Sequence, residues 1–296
     1  MTEPRIGVIG IPGKWSTETL ADAVEARTGF RLVIDMAQVS LDLTTSSLWF
    51  KGVDLCKLDG LIVKKISEEY SPHTLDRLEM LRVAENRGVK VFSGAENIIR
   101  LVDRLSCTVT LSNAGIPMPP TCVTEDREAA FAAVNRFGSA VFKPLFSTKA
   151  RGMCILEASA GEDVVRKDIA AFSEAHPVMY IQQKMDLSGQ DLGMVFLAGE
   201  YLGTYARVSQ SKAWNTTIES GGKYASYSPD DELIALAHKA QEPFGLDFTT
   251  VDVALTPEGP IVFEVSAFGG FKGALEGAGI EAAGLYADHA LRKVRS

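Results

Sequence analysis

Several residue patterns that announce particular chemistries are missing from this chain. Its four cysteines, Cys56, Cys107, Cys122 and Cys154, are scattered, with no Cys-x-x-Cys spacing and no histidine at metal-ligand distance. That argues against the usual zinc patterns and gives no sign of a disulfide framework, so buried reduced thiols are expected. The histidines, His73, His176, His238 and His289, stand alone on expected helices or turns, where structural roles are expected. No Ser–His–Asp or Cys–His set can be assembled from them, and no Walker-type phosphate loop is present. Positive charge is scarce as well, with 30 Lys and Arg against 38 Asp and Glu and a formal net charge of -8. A general nucleic-acid binder needs a basic surface to neutralise phosphates, which argues against that class but leaves room for a local basic pocket. The opening Met-Thr-Glu-Pro-Arg runs into an apolar strand of about five residues, neither a signal peptide nor a membrane span. A cytoplasmic enzyme or binding protein is the expectation.

What is present is ordinary globular composition, 46% hydrophobic and 23% charged over 296 residues, enough for a large core in two or three domains. The first hundred residues alternate strand and helix. Arg5-Ile-Gly-Val-Ile-Gly is a short strand, and Ser16 caps a helix over residues 18–27. Further strands are expected at 31–35, 60–64 and 89–93, with an amphipathic helix at 71–87 carrying Leu75, Leu78, Leu81 and Val83. Such alternation predicts a parallel α/β sheet. A single helix over 95–114 opens the second region, which continues with helices at 125–137 and 161–175 and strands at 140–145, 153–156 and 178–183. The third is strand-rich, with strands at 194–197 and 201–208 and helices at 230–243 and 281–293. The expected division is 1–94, 95–183 and 184–296, an α/β domain followed by two α+β lobes.

Near the C-terminus, Thr249-Thr-Val-Asp252-Val-Ala-Leu-Thr-Pro-Glu-Gly-Pro-Ile-Val-Phe-Glu264-Val-Ser266 reads as two strands around a Thr-Pro-Glu-Gly-Pro turn. With the turn centred on Glu258, Asp252 and Glu264 face each other with Cβ atoms about 5 Å apart, where like charges destabilise a sheet. A hard divalent cation between them is the simplest resolution, and Ser266, two residues on, offers a third oxygen. The alternatives on this segment are an exposed sheet face with two tolerated acids, an acid paired with a distant Lys or Arg, or a one-residue register slip.

Lys143 ends an apolar strand and is followed by Pro144, Leu145 and the loop Phe146-Ser-Thr-Lys-Ala-Arg-Gly152. A strand-end ammonium beside loop amides suits a phosphate, and equally suits solvent. The order of elements adds to this. Asp103-Arg104 lies on a helix ending at Gly-Ile-Pro-Met-Pro-Pro-Thr; Lys143 and its loop follow, then Tyr180-Ile-Gln-Gln-Lys-Met, Asp191, Arg207 and the acidic hairpin. This order resembles the ATP-grasp superfamily, most closely the RimK-like glutamate ligases, over residues 90–275.

The resemblance implies an ATP-grasp fold, with a pre-ATP-grasp domain ahead of two lobes that hold ATP and Mg2+, or Mn2+. By the match, Lys143 and Arg104 contact phosphates, and Ser147 and Lys149 belong to the mobile flap. Gln182, Gln183, Lys184 and Met185 form the adenine hinge through backbone hydrogen bonds and apolar contact. Asp191 holds the ribose; Asp252, Glu264 and Ser266 bind metal. Arg207 and Lys143 hold the transferred phosphoryl group. The implied reaction is ATP-dependent carboxylate–amine ligation through an acyl phosphate, adding an amino acid such as glutamate to a small cofactor-like acid or a peptide. The chain departs from the family where Ser266 replaces a usual Asn, where the flap carries Lys149 and Arg151, and where Trp214-Asn-Thr-Thr217 replaces an Arg- and Asn-bearing segment. A regulatory nucleotide-binding protein without turnover, and a phosphotransferase on the same fold, remain alternatives. Lys64 and Lys65, at a strand end of the first domain, are candidates to hold an acidic acceptor or to be solvated. Phe268-Gly-Gly-Phe-Lys-Gly273 either shapes the amine pocket or supplies turn glycines. A homo-oligomer is compatible with the chain; nucleic acid and membrane are not among the expected partners.

Overall fold

A computed structural model describes residues 3–148, 150–209, 216, 218 and 221–296. In the first region β1 (Ile6–Ile9), α1 (Trp15–Thr28), β2 (Val33–Ile34), β3 (Ser40–Asp42), β4 (Ser47–Phe50), β5 (Val53–Asp54), β6 (Gly60–Val63), α2 (Pro72–Asn86) and β7 (Lys90–Phe92) follow one another. The strands β2-β1-β6-β7 form an all-parallel sheet, as the alternation requires. β3-β4-β5 is a separate antiparallel ribbon that the apolar pattern does not reveal, its strands being two to four residues long. Ser16 is not the cap of α1. The helix begins at Trp15, Lys14 occupies the cap position, and Glu18 reaches back to accept from the Gly13 amide at 2.6 Å. Ser71 does cap α2, in a reciprocal box with Thr74 and with Pro72 at the first helical position.

The expected helix over 95–114 is two helices, α3 (Ala95–Val102) and α4 (Arg104–Asn113). Asp103 adopts an extended backbone, and its carboxylate accepts from the Leu105 amide, so a residue read as helical interior is the cap of the second helix. Next come β8 (Thr121–Thr124), α5 (Arg127–Phe137), β9 (Ser139–Lys143), β10 (Cys154–Glu157), α6 (Glu162–Ala175) and β11 (Met179–Gln183). Their antiparallel sheet, β10-β9-β11-β8, is covered by α5 and α6 over a small core of Val134, Phe142, Ile169, Phe172 and Ile181.

The last region comprises β12 (Gln190–Leu197), β13 (Glu200–Val208), β14 (Lys223–Ser226), α7 (Asp231–Gln241), β15 (Phe248–Thr256), β16 (Gly259–Ser266), α8 (Phe271–Ala278) and α9 (Ala282–Arg295). Its sheet, β14-β13-β12-β15-β16, is antiparallel and two-faced. Leu192, Met194, Phe196, Val251, Val253 and Val265 join the large core with α3, α4, α7 and the first region. Val195, Tyr205 and Phe248, on the other face, pack with α1, α8, α9 and the outer side of the parallel sheet. The first and last regions therefore share two cores, the larger of which also takes in α3 and α4, while the rest of the middle lobe, from β8 to β11, has its own. No helix among the described residues is long and apolar enough to cross a membrane.

Candidate active site

The site lies between the middle sheet and the polar end of the last one. Two-residue alternation puts Tyr205 and Arg207 of β13, Asp191 and Gly193 of β12, and Asp252 of β15 on one face. Asp252 and Glu264 are opposite each other, with Thr250 opposite Ser266 two pairs further on. The route to that pairing differs from the expectation. Thr256 pairs with Gly259, so the turn centres between Pro257 and Glu258, and strict continuation would set Asp252 against Phe263. Phe263 instead bulges out between the Val253–Val262 and Asp252–Glu264 pairs, which restores the opposition. The bulged ring lies 5.3 Å beneath the Lys143 ammonium of the other lobe.

Each acid faces a guanidinium. Arg207 stands between Asp191 and Asp252: it donates to both oxygens of Asp191 through Nε at 3.1 Å, and its Nη2 lies 3.0 Å from Asp252. Thr216 donates to the remaining side of Asp191 at 2.5 Å. Burial works against the Arg207 charge, but Asp252 and Asp191 outweigh it and hold the guanidinium well above its ordinary value. Burial raises Asp252 far above the usual carboxylate range; Arg207 opposes this, while Glu264 and Asp191 add to it. Glu264 is about half exposed and lies 3.6 Å from Nη1 of Arg104.

Arg104 opens α4 because Asp103 ends the helix before it. From there its Nε donates to the Pro144 carbonyl at 3.3 Å and its Nη2 to Ser147 at 3.2 Å, spanning from the base of the 146–152 loop to Glu264. That loop is tied to the first region by Arg151, 3.2 Å from Glu69. Lys149, and Trp214, Asn215 and Thr217 of the later segment, lie outside the described residues. Lys143 ends β9 and is buried, with its ammonium 2.5 Å from the Gln182 side-chain oxygen. Burial, then the neighbouring Arg104, push its pKa down to about 7 against the pull of Glu264. At the hinge, the Gln183 amide donates to Pro120 at 2.8 Å and the Lys184 amide to Ser139 at 3.0 Å. Met185 follows, half buried.

Lys64 is not a solvated lysine. It is buried, and its ammonium donates to the carbonyls of Phe268 and Gly269 with the Phe271 ring 4.4 Å away, which fastens β6 to the segment after β16. Lys65 sits against Tyr70, 3.1 Å from its hydroxyl, and 5.3 Å from the Phe268 ring. The glycines of the tail serve packing. A Cβ at Gly270 or Gly273 would come within 2.4 or 2.5 Å of the Tyr205 side chain, and one at Gly193 within 2.3 Å. His289, read as isolated, pairs with Asp247 at 2.7 Å, away from the site.

The sequence reading missed Tyr180, Thr108, Thr121 and Thr216, all of which hold site residues in place. Alternation along β11 sets Tyr180 with Gln182 on the face of Lys143, so a signal for Tyr180 exists. Nothing local in the sequence marks Thr108, and Thr216 lies in the 214–217 segment noted only as a departure from the family.

Among the described residues no cluster of three His, Cys, Asp or Glu could hold a metal. The set offered is two carboxylates and a hydroxyl, all hard oxygen donors. Magnesium is typically held by one or two carboxylates together with substrate phosphates, so the donors fit that ion.

The fold and this arrangement define an ATP-grasp protein. The RimK-like ATP-grasp domain description matches residues 102–289, and the chain belongs to that family. It is 26% identical to the tetrahydromethanopterin:alpha-L-glutamate ligase of Methanosarcina acetivorans over 264 residues, 84% of this chain and 82% of the relative. The crystal structure of a RimK domain ATP-grasp protein from Sphaerobacter thermophilus superposes with a TM-score of 0.75 at 23% identity, covering 97% of this chain and 99% of the other. The ATP-grasp ligase PsnB, complexed with a phosphomimetic variant of its minimal precursor, Mg and ADP, gives 0.77 at 17% identity and covers 99% and 100%. The chain is thus an ATP-dependent carboxylate–amine ligase, with ATP and magnesium as the cofactors of its family.

Proposed function

We propose that this ligase joins an amino acid, glutamate first, to the carboxylate of a small cofactor-like acid or a peptide. The name of the Methanosarcina acetivorans relative supports glutamate as the amine and a cofactor as the acceptor. PsnB complexed with the precursor peptide PsnA2 keeps a peptide acceptor in the proposal. The observation that carries the reading is the Asp252–Glu264 pair, opposed across a hairpin and bracketed by Arg207 and Arg104.

In the proposed reaction the acceptor carboxylate attacks the γ-phosphorus of ATP. A carbon-bound oxygen–phosphorus bond forms, and the bond to the ADP oxygen breaks. The amine nitrogen then attacks the acyl carbon, phosphate leaves with the bonding pair, and the nitrogen gives up a proton. No side-chain nucleophile is required. Lys143, Arg104 and Arg207 hold the phosphoryl charge; Ser147 and Lys149 of the flap add hydrogen bonds and charge. The 182–185 segment receives the adenine. Asp191 aims Arg207 and, by the family match, also holds the ribose. Magnesium, or manganese on the same oxygen donors, would be held by Asp252, Glu264 and Ser266 and would neutralise charge on the phosphates. A cytoplasmic location suits such a reaction.

Incubation with ATP, magnesium, an amino-acid panel and cell extract, followed by mass spectrometry, should give ADP and a new amide adduct that depends on both the carboxylate and the amine. Asp252→Ala and Glu264→Ala should each lower turnover on the order of 10²-fold or more, as loss of a main electrostatic stabiliser does. Unchanged activity in either variant would sink the metal assignment. ATP binding without turnover would favour the regulatory reading, and a stable phosphorylated product without an amide the phosphotransferase.

A further inference from the structure

Gln182 enters the family pattern as part of a backbone hinge, yet its side chain is buried, 2% exposed. It is the centre of a hydrogen-bond chain whose direction can be worked out by counting protons. The Thr108 hydroxyl donates its one proton to the Arg104 carbonyl at 2.9 Å. It can therefore only accept from the Tyr180 hydroxyl, also at 2.9 Å. The Thr121 hydroxyl likewise donates to the Pro119 carbonyl at 2.8 Å. Both the Tyr180 and the Thr121 oxygens are left as acceptors, and the Gln182 amide nitrogen faces them at 3.2 and 3.1 Å. Its two N–H groups are then used, and its carbonyl oxygen must point the other way, onto the Lys143 ammonium at 2.5 Å. A flipped amide would set an NH2 against an ammonium and leave an oxygen facing two hydroxyls with no proton to give.

Two backbone carbonyls thus fix the polarity of the chain, and it ends on the lysine. It also begins at Arg104, the other cation at the base of the flap, whose guanidinium lies 5.9 Å from the Tyr180 ring. We propose that Gln182 is a positioning residue: with Tyr180, Thr108 and Thr121 it fixes Lys143 relative to Arg104, so that both cations are set in place before phosphates arrive. A neutral acceptor suits this task. It restrains the ammonium without cancelling its charge, which a buried carboxylate at the same place would do. The inference rests on the reading that Lys143 and Arg104 meet the nucleotide phosphates.

The test is ATP binding by calorimetry in the presence of magnesium, without acceptor or amine, for the wild type, Gln182→Met, Tyr180→Phe and the double variant, with melting curves alongside. Tyr180→Phe removes one hydroxyl and keeps the ring, so it guards against a Gln182 variant that fails to fold. Gln182→Met is expected to weaken ATP binding about tenfold, as loss of a hydrogen bond to a charged group does, and Tyr180→Phe, which acts only through the neutral Gln182 amide, by a few-fold. The double variant is expected to be no weaker than Gln182→Met alone, because the two residues act in one chain. Wild-type affinity in folded variants, whatever their melting temperatures, overturns the proposal, as do single effects that multiply in the double variant. A wild-type chain that binds no ATP would overturn the underlying reading of the site as well.

Discussion

Lys143 shows how one residue couples burial to function. Its ammonium is desolvated at a strand end, with Arg104 nearby, and its pKa falls to about 7. A bound polyphosphate favours the charged form and raises that value. Below pH 7 the lysine is already protonated, and binding takes up little; above pH 7 binding draws a proton from solvent. ATP affinity should therefore weaken as pH rises through and beyond 7, by at most about tenfold per unit. Calorimetry at pH 8 in buffers of different ionisation enthalpy should report uptake of up to about one proton, and Lys143→Arg should abolish it. Equal heats across buffers at pH 8 in the wild type would contradict this account. The residue type was legible in the sequence; its desolvation was not, because Gln182 reaches it only through strand pairing and Phe263 only from the other lobe.

At the scale of elements, the acidic hairpin and α8 depend on where bulk is absent. The hairpin register is set by a bulge, which sequence periodicity does not encode, since Phe263 looks like any other apolar strand residue. α8 lies flat on Tyr205 because Gly273 and Gly277 present no side chain; a Cβ at either would come within 2.5 Å of Tyr205. Helix propensity alone would make Gly273→Ala stabilising by about 1 kcal/mol. Overpacking against a fully buried ring should reverse the sign, giving a net loss of about 1–3 kcal/mol in urea unfolding. A raised midpoint would show that Tyr205 can move aside. The continuous apolar stripe over 95–114 misled the helix assignment for a related reason: the break at Asp103 is decided by one capping hydrogen bond.

For the molecule as a whole, the first and last regions fold as one body. α9 is wedged between α1 and the last sheet, with Tyr286 stacked on Phe248 at 5.3 Å and Arg27 pairing with Asp288. The Lys64 ammonium closes the joint on the site side. Tyr286 is fully buried, so Tyr286→Ala should lower stability by about 3–5 kcal/mol. The loss should appear as a shift of one cooperative transition. In a Trp214→Phe background, so that only Trp15 and Trp49 of the first region fluoresce, the fluorescence midpoint and the main far-UV circular dichroism transition should fall together. An early, separate unfolding of the first region would refute the shared core.

The sequence by itself determined the alternation of elements, the parallel first sheet, the presence of two acids on one hairpin and the order of basic residues that identifies the family. These are local patterns of period and type, and the chain carries them openly. Only the tertiary structure decided which guanidinium faces which acid, that Lys64 is a fastening inside the protein, and that Gln182 holds Lys143 with its side chain. Those facts depend on groups far apart in the chain, such as Thr108 and Gln182, meeting where water is excluded. Once there, each proton has a single place to go, and that constraint exists only in the packed interior.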